Sequence, residues 1–313
     1  MRVGVVFPGQ GSQAVGMGGA IAERFPIAAD LFRRAQVVLG YDLLELVRHG
    51  PEERLRETQF SQPAIYVVNY ALACALGEAF GVVASAGHSF GEFCSLTLAG
   101  SLTFEDALAL VRERGLAMQD AAERAPGAMA AVLGLEPEKL REAVARARSA
   151  GRVALANFNA PGQIVISGDR DAVAVAGDYA LELGAKRVVP LNVSGAWHSD
   201  LMFPARERFA PIVAAATVAL PSFPVISNVD ARPYADVATI RTNLVRSITD
   251  EVLWHATAER LVAERLDLIV EFGGSAVLAP LFKRLDGAPK AMHVGDERGV
   301  EKLHALVAAG SLA

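Results

Sequence analysis

The sequence predicts an α/β fold with a second, smaller sheet inserted into it, and three observations carry that prediction. Strand-like and helix-like segments alternate towards both ends of the chain. A short apolar run over 82–86 passes through a glycine-bracketed turn straight into a helix. Between about 126 and 195 the order becomes strand, helix, strand, strand, helix, strand, opened by Pro126-Gly127. That βαββαβ order is the ferredoxin-like pattern. The expected domains are therefore 1–125 together with 196–313 as the larger α/β unit, and 126–195 as the inserted one.

The elements follow in order. Val3–Phe7 reads as a short buried strand, with helical stretches after it to about Phe80. The strand over 82–86 leads into a helix that ends near Gly100. Thr103 and Asp106 resemble the cap of the next helix, over about 104–124. Inside the insertion, strands are expected over 128–135, 153–158, 163–167 and 186–193, with helices over 138–149 and 171–183. A helix after His198, a strand near Val225 and a buried strand Leu268–Phe272 ending in Gly273-Gly274 complete the chain.

Composition narrows the class. With 313 residues, 52% of them hydrophobic, and a net charge of −5, the chain has ample apolar material for a core. Disorder is excluded on the same grounds. No dense Lys/Arg block argues for nucleic acid. The longest uncharged run, 209–226, is broken by Pro211, Pro221 and Pro224 and does not read as a membrane span. The N-terminus lacks the apolar region of a signal peptide. Cys74 and Cys94 sit in apolar stretches and form neither a disulfide framework nor a metal site. A soluble, cytoplasmic protein is expected, with no nucleic-acid or membrane partner and no metal or bound redox cofactor.

Gly87-His88-Ser89-Phe90-Gly91 is a G-x-S-x-G sequence between strand and helix. A tight strand-to-helix turn holds a serine oxygen clear of the sheet, and the glycines let the backbone fold that sharply. The helix N-terminus behind it aims N–H groups at a developing oxyanion. The plain alternative is a glycine-bracketed loop serine. A serine nucleophile needs a base, and His198 is the candidate, because Ser194-Gly195-Ala196-Trp197-His198-Ser199-Asp200 follows a strand end and precedes a helix. His255 is the second choice; its helical setting suggests packing beside Trp254.

Arg114 falls in the middle of the apolar stripe formed by Ala107, Leu110, Val111, Met118 and Ala121. A guanidinium there needs an anionic partner. That partner is either an internal carboxylate or, beside a serine nucleophile, the free acid end of an acyl substrate held by a two-pronged contact. Gly9-Gln10-Gly11-Ser12-Gln13-Ala14 has the G-x-G-x-x-A spacing of a dinucleotide site, but that fingerprint needs an acid closing a second strand about 20 residues on. Asp30 has the spacing and sits in a helical stretch instead. The turn is better read as bringing the Gln10 backbone N–H towards Ser89.

These signals, taken together, resemble the malonyl-CoA:acyl-carrier-protein transacylases and the related acyltransferases of polyketide synthesis. The matching pieces are Phe7-Pro8-Gly9-Gln10-Gly11-Ser12-Gln13, Ser61-Gln62-Pro63-Ala64, Gly87-His88-Ser89-Phe90-Gly91-Glu92 and Arg112-Glu113-Arg114-Gly115 with Met118-Gln119. Asn157-Phe158-Asn159-Ala160-Pro161-Gly162-Gln163, the His198 segment and Ser227-Asn228-Val229-Asp230 continue in the family's order over nearly the whole chain. The resemblance implies an α/β-hydrolase-like core carrying the ferredoxin-like subdomain. It implies Ser89 as acyl-accepting nucleophile, His198 as base, Arg114 as partner of the malonyl carboxylate, the N–H groups of Gln10 and Phe90 as oxyanion hole, and Gln62 in the pocket wall.

The implied substrates are malonyl-CoA, a CoA thioester, and the phosphopantetheine thiol of an acyl carrier protein. Two departures stand out: Leu253 where the family has glutamine or asparagine near its histidine-orienting carbonyl, and Gly273-Gly274-Ser275 in place of a Gly-Pro-Gly turn. Gly195-Ala196-Trp197 resembles the pattern of malonyl-selecting members, with Trp197 crowding an α-methyl branch. An acidic carrier protein implies a basic patch, for which Arg146, Arg148 and Arg152, Lys186 and Arg187, or Lys283 and Arg284 are candidates. The alternatives are an editing thioesterase of the same fold, a transferase of another acyl group between carrier proteins, a Ser-Asp-His esterase using Asp169 or Asp171, and a docking module without catalysis.

Overall fold

The computed structural model describes residues 1–77 and 81–310. In chain order its strands are β1 (Val3–Phe7), β2 (Val82–Gly87), β3 (Ala128–Leu133), β4 (Val153–Ala160), β5 (Gln163–Gly168), β6 (Arg187–Pro190), β7 (Val225–Ile226), β8 (Leu268–Phe272) and β9 (Lys290–Val294). The larger sheet has the order β7-β2-β1-β8-β9, and every pairing in it is parallel. β1 and β8 are buried along their whole length. Their near-continuous apolar sequence follows from helices covering both faces of a parallel sheet. Because the strands are parallel, the C-terminal ends of β1, β2 and β8 open on one side, where α/β sheets place their ligands.

The smaller sheet is antiparallel, in the order β4-β5-β3-β6. It is built from the expected βαββαβ run, with Pro137–Ala147 and Arg170–Glu182 as its helices. Val132, Ile164 and Ile166 pack on Leu140, Val144, Ala172 and Ala176, which gives this unit a core of its own. The predicted helix over 104–124 is present as Phe104–Arg124, and the Thr103 hydroxyl accepts from the Asp106 N–H at 3.1 Å, as its sequence suggested.

Several boundaries differ from expectation. β3 stops at Leu133 because Gly134 turns the chain at φ 76°. β6 covers only Arg187–Pro190. It pairs with β3 alone, and a proline, which has no N–H to donate, closes this edge strand. His198 therefore stands in an irregular segment, not at the end of a strand. The helical reach expected to Phe80 falls partly on 78–80, outside the described residues; the long helix before it is Thr58–Cys74. β9 was not expected at all. Among the described residues no helix is long and apolar enough to cross a membrane.

Candidate active site

The G-x-S-x-G sequence folds as a strand-to-helix elbow. Gly87 closes β2 and Gly91 opens the helix Gly91–Leu98. A Cβ on Gly87 would lie 1.9 Å from the Gly91 carbonyl carbon, and one on Gly91 would lie 2.4 Å from the Phe7 oxygen. Neither position tolerates a side chain. Between them Ser89 takes the left-handed conformation, φ 53°, that lifts its side chain off the sheet. Phe90 buries its ring in the core, so any part it plays at the site falls to its main chain.

Ser89 Oγ lies 3.0 Å from His198 Nε2. His198 is also in the left-handed region, at φ 59°. Its ring is buried, and burial pushes its pKa down to about 3, with the charges of Arg114 and then His88 acting in the same direction. Main-chain groups of Asp250 and Ser247 beside the ring pull the other way. Among the described residues Nδ1 itself has no hydrogen-bond partner. The main-chain groups beside the ring precede Leu253 in the chain. A neutral imidazole next to a serine is in the protonation state a general base requires.

Arg114 is fully buried. Its Nη1 donates to Gln62 Oε1 at 2.9 Å and its Nη2 to Ser89 Oγ at 3.3 Å. Among the described residues no carboxylate lies within ion-pair distance of it, so the internal salt bridge open as an alternative is not what this arginine makes. Nε has no partner. Burial lowers its pKa to about 9, and the nearby Glu92 carboxylate partly offsets that. Keeping a cation dry with a donor unfilled is costly, and an anionic ligand would offset that cost.

Ser89, His198, Arg114 and Gln62 open into a cavity of about 480 Å³. Gln10 and Trp197 line it too, together with Met129 and Val165 of the antiparallel sheet. Gln10 turns its side chain to Thr58 Oγ1, 3.0 Å away. Trp197 is held in place by Gly195, where any Cβ would come within 2.6 Å of the indole. His88 also lines the cavity, its Nε2 2.9 Å from Asn159 Oδ1. This pair was not signalled locally in the sequence.

Other candidates fall elsewhere. His255 faces Glu259 on its own helix at 3.6 Å. The Asp169 carboxylate binds the Arg152 main chain and guanidinium, and Asp171 is exposed at a helix start, so neither serves as a triad acid for His198. Among the basic clusters, Arg146 pairs with Glu182 and Arg152 with Asp169. Arg284 donates to Gln163, a residue of the cavity wall.

Comparison with known proteins agrees with this geometry. The family model described as "Acyl transferase domain" matches residues 5–284. The malonyl CoA-acyl carrier protein transacylase of Haemophilus influenzae is 40% identical over 298 residues, 94% of this chain and 96% of that protein. That of Bacillus subtilis is 38% identical over 303 residues, 96% of this chain and 95% of the relative. Among solved structures, an acyl carrier protein S-malonyltransferase from Vibrio cholerae superposes with a TM-score of 0.92 at 38% identity, covering 97% of this chain and all (100%) of its own. A malonyl-transacylase solved in complex with its type II PKS acyl-carrier protein gives a TM-score of 0.93 at 37% identity, covering 98% of this chain and 100% of that one. A family match over most of the chain, relatives of this identity along nearly all of it, and a serine elbow in the matching place lead to one assignment: the chain belongs to the acyl transferase domain family.

Proposed function

We propose that this protein transfers a malonyl group from CoA to the phosphopantetheine thiol of an acyl carrier protein, through an ester on Ser89. The observation that carries the reading is the buried Arg114 guanidinium, without a carboxylate partner and 3.3 Å from Ser89 Oγ. A neutral acyl group would leave that charge uncompensated; a malonyl carboxylate satisfies it. The relatives named as malonyl transacylases, and the one solved with its carrier protein, support the same substrates.

The residues divide the chemistry as follows. The malonyl carboxylate docks on Arg114, which sets the thioester carbonyl over Ser89. His198 Nε2 takes the Ser89 proton while Oγ attacks that carbonyl. Oxyanion charge falls on the main-chain N–H groups of Gln10 and Phe90, one from each strand end. The C–S bond then breaks, and the departing CoA sulfur takes the proton from His198. In the second half the carrier thiol gives its proton to His198, its sulfur attacks the ester carbonyl, and the Ser89 oxygen leaves with that proton. Gln62, bonded to Arg114, keeps the guanidinium aimed at the carboxylate. A cytoplasmic location goes with this reading, resting on two free cysteines and on the relatives' activity.

The test compares acylation of Ser89 by malonyl-CoA and acetyl-CoA in the wild type and in Arg114→Ala. Losing one member of a buried charge pair costs about 2–5 kcal/mol, so malonyl transfer should fall roughly thirtyfold or more. Acetyl transfer should change far less. Equal losses for both donors would make Arg114 a structural residue and remove the ground for a malonyl substrate.

A further inference from the structure

Ser89 holds a left-handed backbone that costs a non-glycine residue energy, so the surrounding structure must fix it. Behind the elbow lies Asn228, buried to 1% exposure in the turn after β7. The Ser89 N–H donates to Asn228 Oδ1 at 2.6 Å, and Asn228 Nδ2 donates to the Gly87 carbonyl at 2.7 Å. One amide thus bridges the residue before His88 and the residue after it. Its two functions, acceptor and donor, match the two groups of the turn, the Ser89 N–H and the Gly87 carbonyl.

Asn228 is itself anchored through its main chain. Its N–H donates to Glu92 Oε2 at 3.0 Å, and its carbonyl accepts from the Leu253 N–H at 2.9 Å. The other Glu92 oxygen accepts from the Tyr234 hydroxyl. Leu253 follows directly on the segment whose Ser247 and Asp250 main chain lies beside His198. The nucleophile is therefore tied, through Asn228, to the stretch of backbone that passes beside the base.

We propose that Asn228 is a positioning residue for the reaction, its side-chain amide holding Ser89 in the reactive conformation and in register with His198. The inference rests on Ser89 being the nucleophile. It assigns Asn228 no contact with substrate.

The experiment follows Ser89 acylation by malonyl-CoA with rapid quenching and intact-protein mass, in the wild type, Asn228→Ala and Asn228→Asp. Misplacing a reacting group by an ångström costs on the order of a hundredfold, so Asn228→Ala should slow acylation by about that factor. Half-saturation with malonyl-CoA should change little, because Arg114 and Gln62 are not disturbed. Asn228→Asp keeps the acceptor for Ser89 but turns an anionic oxygen towards the Gly87 carbonyl. Glu92, Asp230 and Tyr234 surround this position, while Arg114 and His198 face Ser89 from the substrate side. Burial and the neighbouring acids raise the pKa of the new carboxyl. Its rate relative to wild type should therefore recover as the pH falls from about 8 to about 5, when the protonated acid can again donate.

A wild-type rate in Asn228→Ala, or an Asn228→Asp ratio flat with pH, would overturn the proposal. Should circular dichroism show Asn228→Ala unfolded, the nearly isosteric Asn228→Asp decides alone. An absent adduct in the wild type would instead count against Ser89 as nucleophile, which is a separate failure.

Discussion

Ser89 and His198 are the two halves of one strained arrangement: both stand at positive φ, 53° and 59°, and their side chains meet at 3.0 Å although 109 positions separate them in sequence. Neither residue is glycine, the type that takes this region without a Cβ penalty. Each conformation costs of order 1–3 kcal/mol, which surrounding packing must offset. Strain at both partners, and at few other non-glycine positions among the described residues, marks where the fold has been shaped for chemistry.

The elbow should be intolerant of a single methyl group. In Gly87→Ala the new Cβ would sit 1.9 Å from backbone that cannot yield, so the change belongs at or above the usual 1–3 kcal/mol of overpacking. A melting temperature lowered by several degrees is expected, together with loss of Ser89 acylation. Gly81→Ala serves as the control, since its Cβ would meet nothing within 4 Å among the described residues. Equal melting temperatures for the two variants would show that the elbow can relax.

The pH dependence follows from His198. Its pKa is displaced downwards to about 3, so the base stays neutral far below the ordinary histidine value of 6.5. The acid limb of kcat/KM, which reports the free enzyme, should accordingly lie well under that value. Arg114 is a nearby cation and disfavours a second positive charge. Removing it in Arg114→Gln must raise the His198 pKa and move the acid limb to higher pH. A wild-type limb near the ordinary value, or a downward move in the variant, would contradict this account of the site's electrostatics.

Trp197 should govern selection at the α-carbon. Its buried ring lines the cavity and is wedged against Gly195. Trp197→Ala makes room for a branch, and one methyl group is worth about 1–3 kcal/mol of discrimination. The ratio of kcat/KM for malonyl-CoA over methylmalonyl-CoA should fall by roughly tenfold or more in the variant. An unchanged ratio would move the selecting contact elsewhere in the cavity.

Much of this arrangement was legible in the sequence where the signal is local. The glycines at 87 and 91, the cap at Thr103, the βαββαβ order and the misplaced charge of Arg114 each announce themselves within a few residues. What escaped depends on distant pairing. β9 is a half-buried edge strand whose only sheet partner is β8, so its residues carry no continuous apolar run. Glu92 reads as an ordinary acid in the first turn of a helix, and its burial is explained only by distant partners, the Asn228 N–H 136 positions away and the Tyr234 hydroxyl 142 positions away. Asn228 looks like a turn residue until the fold brings it, across 139 positions, against Ser89. Leu253 stands where the family has glutamine or asparagine, and the main-chain groups beside His198 belong to Ser247 and Asp250 instead.

The central claim, transfer through a malonyl ester on Ser89, is tested most directly by intact-protein mass spectrometry. The protein is mixed with malonyl-CoA and then chased with a holo acyl carrier protein or with buffer alone. The account predicts a malonyl adduct that is absent in Ser89→Ala, persists in buffer and clears onto the carrier protein. An adduct lost to buffer as fast as to the carrier protein, or one that survives in Ser89→Ala, would contradict it.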